Sequence, residues 1–597
     1  MFISTRQFIR IFIFSNSTLP PRTKQERCKA PFNHHIISTM GILDFTIKRA
    51  LPAAAAATSI TAWAGITTAN DDWDDYFFTS APTPTTSDTE EKIVILGSGW
   101  AALNALRKCA SAQKSVVIVS PRPHFLYTPL LASSSVGTIT LRSACEPLRA
   151  LVESAASKAT SATFVRADAR EIDVHNKKVY ATTDSDGMGL ELSYDKLVIA
   201  VGAQPNTFGI PGVQEHGLFL KEAEDSAKLH AKLLSNLEKA AALSHQGNKY
   251  ATEIDRLLKV VVVGGGPTGV ELCAELADFK NHDVAKRYGT DISDRIQIIL
   301  VEAMPRILMP FDESLANVAK EHLVSKGVEV RTGCGVTYVE GQDVTMQPST
   351  PRTATAEQKA EAASKAKSEE VGALVWVAGI GARPLVKKLA KQLGQTDMRG
   401  LKVDETLKVE GTNDVYAIGD CALSGSPPTA QVAAQQGKHI GRALRDGIDS
   451  PFKYNHMGSL ICLGSNNGMA QFPDSGKFNV WDAIGASNLG ANANDQRGLT
   501  GLPAFVIWRS TYWTKLLSTS SRLSLASDWV KAKLNGRDVV EPVLKRAATL
   551  KAPVESFGTE LKRNNTIRLV KNVGAIATDP VAAANDGEKK KKRFWLF

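Results

Sequence analysis

From residue 92 onward, unbroken apolar runs alternate with small-residue turns and helix-patterned stretches. Ile93–Leu96 is a four-residue apolar run, the kind that suits a parallel strand buried on both faces. Gly97-Ser98-Gly99 follows at once, Leu103–Cys109 has helical spacing, and Val116–Val119 is the next run. The same order returns as Val260–Val263, a glycine turn from Gly264 to Gly269, a helical stretch over Leu272–Phe279, and Ile296–Val301. Two near-repeats, Leu197–Pro205 and Val375–Pro384, each run from an apolar strand through a small-residue turn to proline. Val415–Ile418 delivers Gly419 and Asp420 to a strand end, and Pro428–Gly437 predicts the start of a helix. Strand–helix–strand order repeated in this way predicts an α/β protein with parallel sheets.

The two glycine turns carry chemistry. Each lies between a strand and a helix, the context that makes GxGxxG/A a dinucleotide-binding fingerprint, so two Rossmann-like domains are expected. Gly97 permits the tight turn, Gly99 lets backbone approach a pyrophosphate, and Ala102 fills the third small position. Gly264, Gly266 and Gly269 repeat the pattern. In both, a helix N-terminus offers N–H groups and a positive dipole end to phosphate. The second copy ends its next strand in Glu302, placed for a ribose hydroxyl and against a 2′-phosphate, with Arg306 close enough in sequence to soften that preference. The first copy has Ser120, Pro121 and Arg122 where an acid is expected, leaving hydroxyl and backbone groups to hold the ribose. Asp420, at its strand end, suits a ribityl hydroxyl, and the helix after Pro428 would aim its N-terminus at a flavin ring.

Composition adds limits. The 597 residues exceed one ordinary domain, and the net charge of +10 suggests an anionic partner, nucleic acid or an anionic membrane surface. Seven cysteines are too scattered for a CxxC pair, which argues against a redox disulfide or zinc site, and no metal is expected. No aromatic-basic signature of nucleic-acid binding appears. Asp184–Gly187 reads as a hairpin turn between Lys178–Thr182 and Leu190–Leu192, since Ser193 stands where a calcium loop needs glutamate. Ala/Lys/Glu-rich residues 350–370 read as a surface insert. Residues 1–30 are basic and acid-poor, the pattern of an organellar leader, and Met40 is a second possible start. The uncharged stretch 50–69 is too weakly apolar for a membrane span and leads into an acidic linker. Near the other end, Phe505, Trp508, Tyr512 and Leu516 share one helical face, widened by Trp513 and flanked by Arg509 and Lys515. That face predicts a helix lying in a bilayer interface, a core or dimer helix being the alternative. Lys589–Arg593 before Phe594–Phe597 suits anionic lipid.

Together the segments GSGWAAL, SPRPHFLYTPLLASSSVGT, GGGPTGVELCAEL, AIGDCA and AQVAAQQGK resemble the type II (alternative) NADH dehydrogenases over roughly residues 92–540, and mitochondrial members also resemble it in having SPR at 120–122. The resemblance implies FAD at the first turn and NADH at the second. It implies an FAD domain (92–220 and 386–450) interrupted by an NADH domain (221–385). A leader and linker (1–91) precede these, and a C-terminal membrane-association or dimerisation region with a basic tail (451–597) follows. Ser98, Trp100, Ala101, Thr128, Pro129, Ala200, Gly202, Ala430 and Val432 would join the residues above around FAD, with Phe125 close by, and Ala430, Val432 and Ala433 would keep a quinone channel narrow and apolar. Pro267, Thr268 and Gly379 would line the NADH site. Glu271 would be the acid near the nicotinamide, and Gln431 and Gln435 would lie beside the flavin ring and the quinone headgroup. Without the resemblance, Gln431, Gln435 and Gln436 read equally well as an exposed polar helix face. The implied reaction takes hydride from NADH to FAD, then two electrons to ubiquinone or a related quinone, without proton pumping. The implied setting is the mitochondrial inner membrane, with a plastid membrane second, as a peripheral homodimer. Alternatives are a ferredoxin-reductase-like or apoptosis-inducing-factor-like flavoenzyme, or a non-catalytic NADH-binding protein.

Overall fold

The computed structural model describes residues 90–110, 114–156, 161–183, 186–351, 353–464, 466–472 and 498–540, with the backbone of a short strand at Ile567–Leu569. The expected leader, linker and polybasic tail lie outside the described residues.

Chain order builds two lobes. β1 (Glu91–Leu96) turns into α1 (Trp100–Cys109) and returns as β2 (Lys114–Val119). After α2 (Leu131–Ser135), β3 (Ser161–Val165) and β4 (Lys196–Ile199) join the same sheet, and β5 (Ala203–Pro205) leaves it. β6 (Leu218–Phe219), the long α3 (Ala223–Ser244), β7 (Lys259–Val263), α4 (Pro267–Asp278), β8 (Gln297–Glu302), β9 (Val328–Thr332) and β10 (Ala373–Trp376) make the second lobe. β11 (Ile380–Ala382) pairs antiparallel with β5, Ala203 opposite Ala382, so the two connecting strands hold each other. β12 (Val415–Ala417) then returns to the first sheet, followed by α5 (Ala430–Asp446). The sheet orders are β12-β4-β1-β2-β3 and β6-β10-β7-β8-β9, parallel throughout.

The unbroken apolar runs are explained by what covers each face. Ile93 and Ile95 pack toward α1 and α5, while Val94 and Leu96 pack toward the antiparallel strands Ala167–Asp173, Lys178–Thr183 and Gly189–Ser193. Val260 and Val262 face the helices of the second lobe, and Val261 and Val263 face its antiparallel strands 334–348. α5 lies close against α1: a Cβ on Gly437 would come within 2.3 Å of the Ala101 carbonyl, and one on Gly441 within 2.5 Å of that of Ala105. Two small residues thus bring a late helix onto the helix of the first glycine turn.

Two boundaries expected at 220/221 and 385/386 shift slightly. β6 belongs to the second sheet, and the Pro384–Gln392 helix buries Leu385, Val386 and Leu389 in the first lobe, because the chain crosses between lobes at the paired β5 and β11. The insert near 350–370 forms an exposed helix, Ala356–Ser364, closed by a Thr355/Gln358 capping box.

β13 (Ser459–Cys462), β14 (Gly468–Gln471) and β15 (Gly498–Gly501) form an antiparallel sheet ahead of α6 (Leu502–Lys515) and α7 (Thr519–Asn535). The face expected in a bilayer interface is instead core. Phe505, Trp508 and Leu516 are 6, 2 and 0 % exposed, and Tyr512 packs edge-on against Tyr127 and Trp508. The Arg509 guanidinium lies over Phe505 and Trp529 rather than flanking the helix in water. α6 still exposes Leu502 and Trp513, at 55 and 38 %, and α7 exposes Leu523, Val530 and Leu534, at 64, 57 and 75 %, along one side. Among the described residues no helix is long and apolar enough to cross a membrane.

Candidate active site

Both glycine turns lie at a switch point of their sheet, where the strand order runs outward on either side, which is where open α/β sheets bind ligands. In the first, Gly97 has φ +115°, donates its N–H to the Val119 carbonyl at 2.8 Å, and leaves no room for a Cβ, which would lie 2.3 Å from the Ala200 carbonyl of the neighbouring strand. Gly99 faces open space, its virtual Cβ meeting only the Arg122 guanidinium at 3.8 Å. Ala101 and Ala102 are buried behind the turn. α1 has neither a side-chain cap nor an acid in its first turn, so its orphan N–H groups are left to an anion.

Ser120 does not stand in for the missing acid. Its buried hydroxyl donates to Ser98 Oγ at 3.0 Å and accepts from the Arg122 N–H at 3.2 Å, bracing the turn from behind. Exposed Pro121 is followed by Arg122, whose guanidinium pairs with Glu222 at 2.9 Å; Arg383 takes the other oxygen of the same carboxylate at 2.8 Å. Glu222 sits at the start of α3, so a carboxylate from another element reaches the arginine beside the turn, a partner the local sequence does not show. Trp100 Nε1 donates to Thr128 at 3.3 Å, next to half-buried Pro129 and the rings of Phe125 and Tyr127. Among the described residues, the buried hydroxyl of Tyr127 has no hydrogen-bond partner. The open Gly99 face, the uncapped helix and this unpaired hydroxyl fit a bound flavin dinucleotide.

The second turn repeats the design. Gly264 has φ +119°, and its Cβ would clash with Ala378 at the end of β10; a Cβ on Gly269 would lie 1.9 Å from the Gly264 carbonyl. Gly266 faces open space, Pro267 opens α4, and Pro267 and Thr268 are exposed at the turn. α4 also lacks a side-chain cap and a first-turn acid. Glu302 accepts the Gly265 N–H at 2.6 Å and the Met304 N–H at 2.7 Å, so it shapes the turn while lying at the ribose end. The Arg306 guanidinium donates to the carbonyls of Leu308, Phe311 and Met309, which ties it into its own loop.

Between the cradles, α4 carries Glu271 into the interior. Its carboxyl accepts the Cys462 N–H at 3.0 Å and Trp508 Nε1–H at 3.2 Å. Burial pushes its pKa up to about 8 against those two hydrogen bonds, so the acid holds a proton at neutral pH. Both partners come from the C-terminal region, and the spacing of Trp508 alone did not point to them.

The three glutamines of α5 do two different jobs. Gln431 Oε1 accepts from Tyr454 Oη at 2.6 Å and from the Met457 N–H at 3.0 Å. Gln435 exchanges two hydrogen bonds with the Asn455 backbone, at 2.7 and 3.0 Å. These two pin the 454–458 strap to the helix. Gln436, fully buried, accepts the Gly419 N–H at 2.7 Å and donates to Ser424 at 2.8 Å, so for it the exposed-face reading fails. Thr429 caps α5 by accepting from Val432, Ala430 opens the helix half-buried, and Val432 and Ala433 are buried. Asp420 pairs with Lys221 at 3.3 Å, and Gly202, with φ +66°, has open space around it at the end of β4. Among the described residues no cluster of metal-ligating side chains occurs.

Comparison with known proteins agrees with this architecture. The family model for pyridine nucleotide-disulphide oxidoreductase matches residues 91–437, and that for the NDH2 C-terminal domain matches 456–538. A probable mitochondrial NADH-ubiquinone oxidoreductase of Schizosaccharomyces pombe is 33% identical, covering 76% of this chain and 84% of its own. External NADH-ubiquinone oxidoreductase 2 of Saccharomyces cerevisiae is 34% identical over 75% of this chain and 82% of that protein. The structure of NDH2 from Plasmodium falciparum in complex with NADH superposes with a TM-score of 0.65 at 26% identity, covering 76% of this chain and 100% of that one. Two cradles sharing one interior, a late helix returning to the first of them, and these matches place the chain in the pyridine nucleotide-disulphide oxidoreductase family, among the type II NADH–ubiquinone oxidoreductases.

Proposed function

We propose that this protein is an FAD-dependent NADH:quinone oxidoreductase that does not pump protons. The observation that carries the reading is the pair of uncapped, acid-free helix N-termini behind glycine turns, one in each lobe, with the lobes tied by the β5–β11 ladder. FAD, once bound, supplies a two-electron carrier that accepts hydride from NADH and gives electrons to quinone. The chain's own part is to bind, orient and protonate. α1 and α4 each present N–H groups to a pyrophosphate. Glu302 favours an unphosphorylated ribose, and Arg306, engaged by its loop, does not offset that preference. Glu271, protonated at neutral pH, can hold a proton near the redox centre without adding charge there. Gln431 and Gln435 fix the 454–458 strap that would wall the quinone side.

Sequence relatives named as mitochondrial, with the basic leader, support a mitochondrial inner-membrane location. The exposed side of α7 is the face proposed to meet the membrane surface. A second copy of the chain could also cover it; vesicle pelleting and sedimentation in the absence of lipid separate the two.

The test is anaerobic and split by half-reaction. NADH should bleach the flavin of the purified yellow protein, NADPH should do so more slowly, and a soluble quinone should restore the colour. Gln431→Ala should slow the quinone step more than flavin reduction. A colourless protein that FAD cannot reconstitute and that leaves NADH unoxidised would overturn the reading.

A further inference from the structure

Phe208 is anomalous in two independent ways. It is 59 % exposed, among the most exposed of the protein's large apolar side chains, and its φ is +54°, a left-handed conformation that a bulky residue adopts only under strain. The ring touches Trp376 on one side, centroids 6.5 Å apart, and leaves more than half its surface in solvent. The conformation is held from several sides: Asn206 Oδ1 accepts the Phe208 N–H at 2.9 Å, and the Asn206 carbonyl accepts Trp376 Nε1–H at 3.0 Å. The Asn206 N–H in turn donates to the Gly379 carbonyl at 3.4 Å. The result lays the Phe208 ring over Gly379, where a Cβ would come within 2.4 Å of the ring tip. Strain that the surroundings over-determine marks functional positions.

The place is specific. Gly379 follows β10, and Ala378 beside it is the residue that crowds Gly264 of the second turn. Phe208 therefore stands at the β7/β10 switch point. The adenosine end of a dinucleotide belongs at Glu302, after β8, on the other side of β7. Running from Glu302 past Gly266, the dinucleotide brings its nicotinamide half over the end of β10, beside the β5–β11 ladder that leads to the first lobe.

We propose that Phe208 is a binding residue for the nicotinamide half of NADH, its ring covering that half from the solvent side. An exposed aromatic ring offers a flat apolar surface to a heterocycle or its ribose, and it keeps water from the reacting end. The inference rests on the NADH reading of the second cradle.

The experiment is anaerobic stopped-flow reduction of the FAD-loaded protein by NADH, giving a dissociation constant and a limiting rate, with thermal melting alongside. F208A and F208G should raise the dissociation constant for NADH about tenfold, and F208Y should restore it to within about twofold. Re-oxidation by a soluble quinone should be unchanged in all three. F208G also separates binding from packing. Glycine relieves the left-handed strain, so its melting temperature should hold or rise while NADH binding weakens. Should F208A fold poorly, F208G alone decides the matter. An NADH dissociation constant within twofold of wild type in F208G, with the wild-type flavin bleaching normally, overturns this inference and leaves the proposed function standing. A wild-type flavin that NADH cannot bleach overturns both.

Discussion

Glu271 sits early in α4 with its carboxyl closed off from water, and desolvation outweighs the two hydrogen bonds it accepts, raising its pKa to about 8. The folded protein therefore keeps a proton that the unfolded chain releases in the ordinary carboxylate range. Between that range and about 8 the folded state binds more protons, so this residue's contribution to stability is present at low pH and is lost as pH rises. Glu271→Gln keeps an oxygen for the Cys462 and Trp508 donors and removes the titration. The melting temperature of the variant relative to wild type should grow from mildly acidic pH to about 8 and then level off, measured on FAD-loaded protein across a pH series. A difference that stays flat with pH would show that the carboxyl is ionised in the fold. The neighbouring residues show how much of the site could be read early. Gly97, Gly264 and Glu302 could be singled out because the strand–glycine turn–helix–strand pattern that marks them is written in the order of residue types along the chain, although the backbones that demand glycine, at Ala200 and Ala378, come close only on folding. The jobs of Ser120 and Gln436 could not be read, because the groups they bond to, Ser98 and Gly419, are joined to them only by folding.

At the scale of elements, α6 and α7 divide the roles that the sequence pattern assigned to one helix. α6 turns its aromatic side inward, where Trp508 reaches Glu271 and Tyr512 packs on Tyr127. α7 buries Leu525 and leaves Leu523, Val530 and Leu534 in water. These three make no core contact, so replacing all of them with serine should leave the melting temperature nearly unchanged, surface substitutions away from special features costing within about 0.5 kcal/mol each. The same triple variant should bind anionic vesicles more weakly in a co-sedimentation assay while NADH still bleaches the flavin. Undiminished vesicle binding would remove α7 from the proposed membrane surface. A corresponding change on α6, such as Trp508→Ser, belongs to a different class, since it opens a cavity beside a buried acid.

The whole molecule is closed by a buried charge cluster where three regions meet. Arg537, just past α7, donates to Glu275 at 3.0 Å and Asp283 at 2.9 Å from the second lobe, and to Thr138 at 2.7 Å from the first. Glu275 also accepts the hydroxyls of Ser133 and Thr138, both at 2.7 Å. Removing one partner leaves the others charged and buried, so Arg537→Met should lower the unfolding free energy by about 3–5 kcal/mol. Adding Glu275→Gln should recover part of that loss, as followed by denaturant unfolding of the FAD-loaded protein. Equal stability of wild type and R537M would mean that the C-terminal region is not needed to lock the lobes. By itself the sequence determined the two strand–turn–helix cradles and the parallel sheets, since each is written in contiguous residues whose spacing and backbone freedom admit few alternatives; the interruption of the first lobe came from the family resemblance, not from spacing. Only the tertiary structure decided which apolar face of the C-terminal region is covered by protein, which glutamine is buried, and that Arg537 and Trp508 reach α4. An apolar stripe states that a surface leaves water; protein and lipid satisfy it equally, and the choice lies with residues hundreds of positions away in the chain.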